Sequence, residues 1–266
     1  MIREITLGQY YQVDSFLHRL DPRIKIIGTM LFIIELFIVD NLTGFIVCGG
    51  ALALCVILSK VPLGFILRGM RPIIFILLFT FVLNMFMIDG NVLWTFWIFR
   101  ITDEGLYTAV FMAIRLMLLI IGASLLTLTT TPIRLTDGIE RLLSPLEHVG
   151  VQTHEIAMMM SIALRFIPTL MEETDKIIKA QQARGADFES GNIFARARAL
   201  VPIMVPLFVS AFRIAQDLAM AMEARCYRGG KGRTRLHAMV FQKRDWVCAA
   251  LLVIFLGIVI AMRIWL

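Results

Sequence analysis

Two arginines are the residues whose type and position most clearly predict a binding chemistry. Arg184 follows Ala183 in the string QQARGAD, and Arg225 follows Ala224 in the string MEARCYRGG. Each is predicted to end a long helix, where a guanidinium group can hold a planar carboxylate through two parallel hydrogen bonds. The matched pair therefore predicts docking onto acidic grooves of two related soluble subunits. The alternative is that each arginine only complements the dipole of its own helix.

The two helices that would carry these arginines are predicted at residues 152–184 and 195–225. Each begins with an apolar half and continues with an amphipathic half. They are too charged for ordinary membrane spans and too apolar for ordinary surface helices. Gly185 is expected to adopt the left-handed conformation that ends the first helix, whereas Cys226 stands at the equivalent position of the second.

Methionines and small residues along the same helices predict a contact surface. Methionine side chains are pliable, and small side chains let helix backbones approach closely. A methionine stripe at helical spacing is also typical of a core, but the polar second halves favour an interface. The residues assigned to this surface are Met158, Met159, Met160, Ala163, Leu170, Met171, Ala215, Leu218, Ala219 and Met222.

The composition indicates a polytopic helical membrane protein. Of the 266 residues, 59% are hydrophobic and 17% are charged, and the mean hydropathy is +0.80. A soluble domain would carry about 25% charged residues. The fold class is therefore predicted to be all-α, with about five transmembrane helices and a cytoplasmic domain of long amphipathic helices. The predicted spans are residues 24–40, 44–58, 72–88, 105–130 and 246–266.

The positions of basic residues predict the orientation and the domains. Arg19, Arg23 and Lys25 flank the first span, which places the N-terminus in the cytoplasm. The loop at residues 89–104 is predicted to lie outside. The domains are a membrane domain of four spans (1–130), a basic cytoplasmic coupling domain (131–244) and a C-terminal span (245–266). Just before the first span, Asp21 and Pro22 are expected to cap its helix.

Two ionisable residues interrupt the predicted spans, Glu35 in the first and Arg115 in the fourth. A charge inside a membrane is costly, and it suggests a functional site by default. Both residues are predicted in the outer half, so they could pair. A structural ion pair, or a Glu35 that reaches a wet interface, is the simpler interpretation. A proton relay would need more such groups in register.

No catalytic, cofactor or metal site is predicted. The string GGKGRT at residues 229–234 lacks the spacing of a phosphate-binding loop. The four histidines have no metal-ligand spacing, and the four cysteines form no C-x-x-C pair. The basic residues do not gather on a soluble face, so a nucleic-acid partner is not expected. The chain is predicted to be a non-catalytic protein of the lipid bilayer.

Four long strings resemble the transmembrane T component of energy-coupling factor transporters, the EcfT/CbiQ family. They are SFLHRLDPR (15–23), LTTTPIRLTDGIERLLSPL (128–146), MMMSIALRFIPTLMEETDKIIKAQQARGADF (158–188) and VPLFVSAFRIAQDLAMAMEARCY (205–227). The resemblance implies that the two long helices cross and that Arg184 and Arg225 dock into two ABC-type ATPase subunits. Cys226 departs from the family pattern, in which glycine is common. The residues implied for ATPase coupling are Ala183, Arg184, Gly185, Ala224, Arg225 and Cys226.

The resemblance also implies a separate substrate-binding membrane subunit, one of several interchangeable ones, seated on the contact surface. ATP-driven motion would then reorient that subunit and release a vitamin or similar micronutrient into a prokaryotic cell. The similarity is closer to the shared vitamin-uptake module than to the dedicated cobalt or nickel version. One alternative is a secondary transporter that binds its own substrate, although no inverted repeat is visible. An intramembrane enzyme is a weaker alternative, because no nucleophile or metal cluster is visible.

Overall fold

A computed structural model describes residues 10–88, 90–96, 99–186, 188, 193–229 and 239–265. The described chain is helical except for one short antiparallel hairpin, which joins α3 to α4. The helices are α1 (Pro22–Ile38), α2 (Leu42–Ser59), α3 (Leu63–Met87), α4 (Asp103–Thr129), α5 (Pro132–Leu143), a 3₁₀ helix (Ser144–Val149), α6 (Thr153–Ala183), α7 (Ile193–Ala224) and α8 (Lys243–Trp265), and the strands are β1 (Val92–Phe96) and β2 (Phe99–Thr102).

The chain divides into two compact units. The membrane unit comprises Leu7–Ile139 and Ala238–Leu266, and the helical-pair unit comprises Met1–Thr6 and Glu140–His237. The boundaries of these units lie close to the predicted domain boundaries at residues 131 and 245. The assignment of the domains themselves remains a prediction.

Candidate membrane spans agree with most of the predicted ones. Four helical segments are long and apolar enough to cross a bilayer, and the α3 pair Leu63–Met70 and Ile73–Met87, bent by 62°, is a fifth. In contrast, α1 has only 17 residues, the lower limit for a span, and is not among these candidates. The four segments are Leu42–Ser59, Asp103–Thr129, Arg198–Ala224 and Lys243–Trp265.

The segment Arg198–Ala224 differs from the prediction, because it lies in the helix assigned to the coupling domain. Its mean hydropathy of 1.7 is below the values of 2.3, 2.4 and 2.8 for the other three segments. The value is lower because α7 combines an apolar first half with a polar second half. By length and composition alone, α7 therefore also qualifies as a candidate membrane span, which the sequence analysis did not predict.

Local capping explains where the helices of the membrane unit begin. The Asp21 side chain accepts a hydrogen bond from the Arg23 amide at 2.9 Å, and Pro22 occupies the first turn, which confirms the predicted cap. At the start of α4, the Thr102 hydroxyl accepts from the Gly105 amide at 3.1 Å. These side chains satisfy amides that have no partner inside the helix.

The core of the membrane unit forms where α1, α2 and α8 meet. Its buried centre consists of Leu36, Val39, Phe45, Cys48 and Val259. Phe111 of α4 packs edge-on against Phe45, with ring centroids 5.3 Å apart. Most other apolar side chains of these helices remain exposed, as expected for helices that face lipid.

The suggested pairing of Glu35 with Arg115 is not found. Arg115 instead donates to the Val39 carbonyl at 2.8 Å and to Asp40 at 3.3 Å, while Glu35 is buried at 2% exposure. Arg263 of α8 donates to the Ile38 carbonyl at 2.8 Å. Two arginines from other helices therefore satisfy carbonyls at the C-terminal end of α1, where no intrahelical donor exists.

Replacing Arg115 with methionine should destabilise the membrane unit. We expect Arg115→Met to lower the free energy of unfolding by about 1–3 kcal/mol, because the Val39 carbonyl would lose its charged donor. Chemical unfolding of the detergent-purified protein would measure the change. The control is Arg68→Met, at an exposed position on α3, and equal unfolding midpoints for the two variants would contradict the capping role.

Candidate coupling site

The candidate site consists of the C-terminal ends of α6 and α7, which share one local geometry. In α6, the Gly185 amide donates to the Gln182 carbonyl at 2.9 Å, and the Ala186 amide donates to the Gln181 carbonyl at 3.0 Å. Gly185 has φ of +88°, in the left-handed region. This is the Schellman arrangement, in which a left-handed residue turns the chain back over the last helical carbonyls.

The end of α7 repeats this arrangement. The Cys226 amide donates to the Glu223 carbonyl at 2.8 Å, and the Tyr227 amide donates to the Met222 carbonyl at 3.0 Å. Cys226 has φ of +53°, so it takes the conformation that glycine takes in α6. The substitution of cysteine for glycine therefore leaves the cap geometry unchanged, although a side chain in this region is strained.

Both arginines occupy the residue just before the left-handed position. Arg184 and Arg225 are exposed, and neither side chain forms a hydrogen bond or an ion pair with any residue that the structure describes. At each helix end, two of the terminal carbonyls accept from backbone amides, those of Gln181 and Gln182 in α6 and of Met222 and Glu223 in α7. The arginine side chains are therefore not used to close these ends, and each guanidinium group is available for an external carboxylate.

Substitutions at the two left-handed positions should shift stability in opposite directions. Gly185→Ala is expected to lower the free energy of unfolding by about 1 kcal/mol, because a Cβ is disfavoured at positive φ. Cys226→Gly is expected to raise it by a smaller amount, because glycine also loses more freedom on folding. Thermal unfolding of both variants beside the wild type would measure this. Shifts of the same sign would contradict the shared cap geometry.

One polar contact joins the polar half of α6 to the apolar half of α7. The Gln181 amide group donates to the Pro202 carbonyl at 3.4 Å, which links the end of α6 to the first half of α7. On the α6 surface, Lys176 pairs with Glu173 at 3.0 Å, one turn away along the helix. The Gln181 contact is therefore a polar link between the two helices, and the Lys176–Glu173 pair lies within α6 alone.

The predicted contact surface remains open in the helical-pair unit. Five of its residues are exposed and the other five are half-buried, and none of the ten is buried. None of them therefore belongs to a fully buried core of the described residues. The exposed residues are Met159, Met160, Ala163, Ala215 and Ala219, and the half-buried residues are Met158, Leu170, Met171, Leu218 and Met222.

A second apolar stripe on α7 was missed by the sequence prediction. Val201, Met204, Val205, Phe208 and Phe212 are all at least 51% exposed. Their spacing of three or four residues puts them on one side of the helix. The same spacing is visible in the sequence, so periodicity alone could have identified the stripe. It adds large aromatic side chains to the predicted contact surface.

No group of acidic, histidine or cysteine residues that could hold a metal ion occurs among the described residues. The four cysteines are free thiols, at residues 48, 55, 226 and 248. Within this part of the chain, the site therefore consists of charged helix ends and apolar faces, which are binding features.

Known proteins match this chain over nearly its whole length. The CbiQ family model, described as a cobalt transport protein, matches residues 14–236. A protein of Thermosediminibacter oceani named energy-coupling factor transporter transmembrane protein EcfT is 55% identical over 99% of this chain and all of its own length. Proteins with the same name from Clostridium kluyveri (54%, covering 100% of this chain and 99% of theirs) and Bacillus subtilis (45%, covering 99% and 100%) are also similar.

Proposed function

We propose a coupling role for this chain, which belongs to the CbiQ family and, within it, to the energy-coupling factor transporter transmembrane proteins named EcfT. As a member of this family, it is a multi-pass membrane protein and the non-catalytic transmembrane component of a multi-subunit transporter. Its role is to transmit the ATP-driven motion of two ABC-type ATPase subunits to a separate substrate-binding membrane subunit, for uptake of vitamins or similar micronutrients.

The observation that carries this proposal is the duplicated helix end. Arg184 and Arg225 are exposed in the same Schellman geometry and have no partner among the described residues. Two equivalent cationic ends suit two related subunits, each with one acidic groove, because a guanidinium fork matches a carboxylate. A motion of the two ATPase subunits would then act on both helices as levers.

The apolar faces of α6 and α7 support the second half of the proposal. The predicted contact surface and the exposed α7 stripe at residues 201–212 leave several large apolar side chains uncovered, and exposed apolar patches mark interaction sites. A substrate-binding subunit inside the membrane is a partner of matching chemistry. Because the chain carries this surface without fixing its occupant, several substrate-binding subunits could use it in turn.

The orientation belongs to the proposal as well. The coupling domain and the N-terminus lie in the cytoplasm of a prokaryotic cell, where ATP is available to the ATPase subunits. The support is the placement of 16 of the 26 Lys and Arg residues between residues 131 and 244.

Affinity purification of the full chain from native membranes tests the proposal. The expected result is retention of two ATPase polypeptides and at least one small membrane subunit, while the chain alone shows no vitamin binding in calorimetric titration. Tight binding of a vitamin to the isolated chain, with no retained ATPase, would instead indicate a secondary transporter.

A further inference from the structure

A basic cleft lies in the membrane unit. It has a volume of about 440 Å³, and its lining includes Arg19, Arg134 and Arg244. The other ionisable residues among the described lining are Tyr10, Asp14 and His18. Three permanent cations therefore face one carboxylate, which leaves the cleft positively charged.

The cleft is located where three helix ends meet. The Asp21 amide donates to the Asp245 carboxylate at 3.0 Å, and the Lys25 ammonium group donates to the Thr129 carbonyl at 2.9 Å. The start of α1, the end of α4 and the start of α8 therefore lie at one level. Since α4 and α8 are candidate membrane spans, this level corresponds to the bilayer surface, where phospholipid headgroups lie.

His18 forms a rigid and uncharged part of the cleft wall. Its Nε2 lies 3.0 Å from the Tyr11 carbonyl, and its Nδ1 lies 2.7 Å from the Ser15 hydroxyl. Because a carbonyl only accepts, Nε2 carries the proton and Nδ1 accepts from Ser15. Burial lowers the pKa of His18, which also favours the neutral ring. The positive charge of the cleft therefore comes from its arginines.

Two of the three arginines lack a counter-charge. Arg19 is neutralised by Asp14, to which its Nε donates at 2.6 Å. In contrast, Arg134 and Arg244 form no ion pair with any of the residues described, and the buried Nε of Arg244 has no hydrogen-bond partner there. Arg134 is exposed, so the cleft presents positive charge without a counter-ion to an incoming anion.

We propose that this cleft binds a phosphate group, supplied by an anionic phospholipid headgroup or by free phosphate, through Arg134 and Arg244. A guanidinium fork matches the oxygens of a phosphate, and basic pockets between membrane helices hold anionic headgroups in this way. The cleft lies at the bilayer surface, where phosphodiesters are present at high local concentration. A lipid headgroup is therefore favoured over free phosphate as the source of the phosphate group. The site does not depend on the proposed coupling role.

Native mass spectrometry of the full chain, purified in a neutral detergent, tests the site. The probes are phosphatidylglycerol and phosphatidylcholine with the same acyl chains. We expect wild-type protein to retain phosphatidylglycerol in preference, and Arg134→Gln with Arg244→Gln to retain about 25-fold less, since each basic residue contributes about fivefold. The control is Arg165→Gln with Arg213→Gln, which removes two exposed charges outside the cleft lining and should retain the wild-type amount.

A competition with millimolar inorganic phosphate distinguishes the two sources. Displacement of the lipid by phosphate assigns the site to free phosphate, and retention of the lipid assigns it to the headgroup; either result supports a phosphate site. Equal retention of the two lipids by the wild type, with no binding of phosphate, would overturn the proposal without reference to any variant. Binding of an acidic peptide but neither phosphate probe would overturn it too. If the glutamine variant does not fold, Arg134→Lys with Arg244→Lys keeps the charge and should keep the lipid preference.

Discussion

Transport should be abolished when Arg184 and Arg225 are both replaced by alanine, while insertion of the protein into the membrane is unchanged. Truncating one partner of a desolvated charge pair at an interface costs about 2–5 kcal/mol. Loss of both arginines would therefore release both ATPase subunits. Neither arginine forms an ion pair with a described residue of its own chain, so the fold should not suffer. Vitamin uptake by cells and co-purification of the ATPase subunits would measure the effect.

The matched control for this variant changes one exposed arginine in each of the same two helices. Arg165→Ala with Arg213→Ala removes the same charge away from the helix ends. It should retain both ATPase subunits. A second variant, Arg184→Lys with Arg225→Lys, keeps the charge but loses the planar fork, and it should retain only part of the activity. Normal uptake by the double alanine variant would contradict the docking role.

Replacing Ala219 with tryptophan should release the substrate-binding subunit and leave the ATPase subunits attached. Ala219 is exposed on the predicted contact surface of α7. A large side chain there would prevent close approach of a partner helix, and overpacking of this kind costs about 1–3 kcal/mol. The amount of substrate-binding subunit that co-purifies with the chain, and the uptake rate, should both fall.

The same substitution two residues further along provides the control. Ala221 is also exposed, but it lies about 200° around the helix from Ala219. Ala221→Trp should therefore keep the substrate-binding subunit. Equal loss of that subunit in both variants would show that α7 tolerates no tryptophan, and equal retention would place the interface elsewhere.

The helix ends show how far local sequence rules reach. Gly185 was predicted to be left-handed, and it is, because glycine carries no Cβ penalty there. No rule of residue type predicts the same conformation for Cys226. The structure shows that the two backbone bonds at Glu223 and Met222 fix it. Local sequence therefore predicts the left-handed residue at a helix end when that residue is glycine. For another residue type, the conformation becomes visible only from the hydrogen bonds of the folded chain.

The sequence alone did not predict which distant residues contact each other. Hydropathy places Glu35 and Arg115 at similar depths, but it does not say which way each side chain points around its helix. The structure directs Arg115 to the end of α1 and to Asp40. The hairpin formed by β1 and β2 was missed for a related reason, since its strands lie in a segment that was predicted only as an outside loop. The α7 stripe at residues 201–212 follows helical spacing in the sequence itself, so periodicity alone could have predicted it.

Photo-crosslinking from positions 184 and 225 tests the central claim most directly. Arg184→p-benzoylphenylalanine and Arg225→p-benzoylphenylalanine would be introduced singly into the assembled transporter and irradiated in native membranes. Each position is expected to crosslink to an ATPase subunit, because each helix end is proposed to occupy one acidic groove. Crosslinks from both positions to lipid or to the substrate-binding subunit, with none to an ATPase subunit, would contradict it.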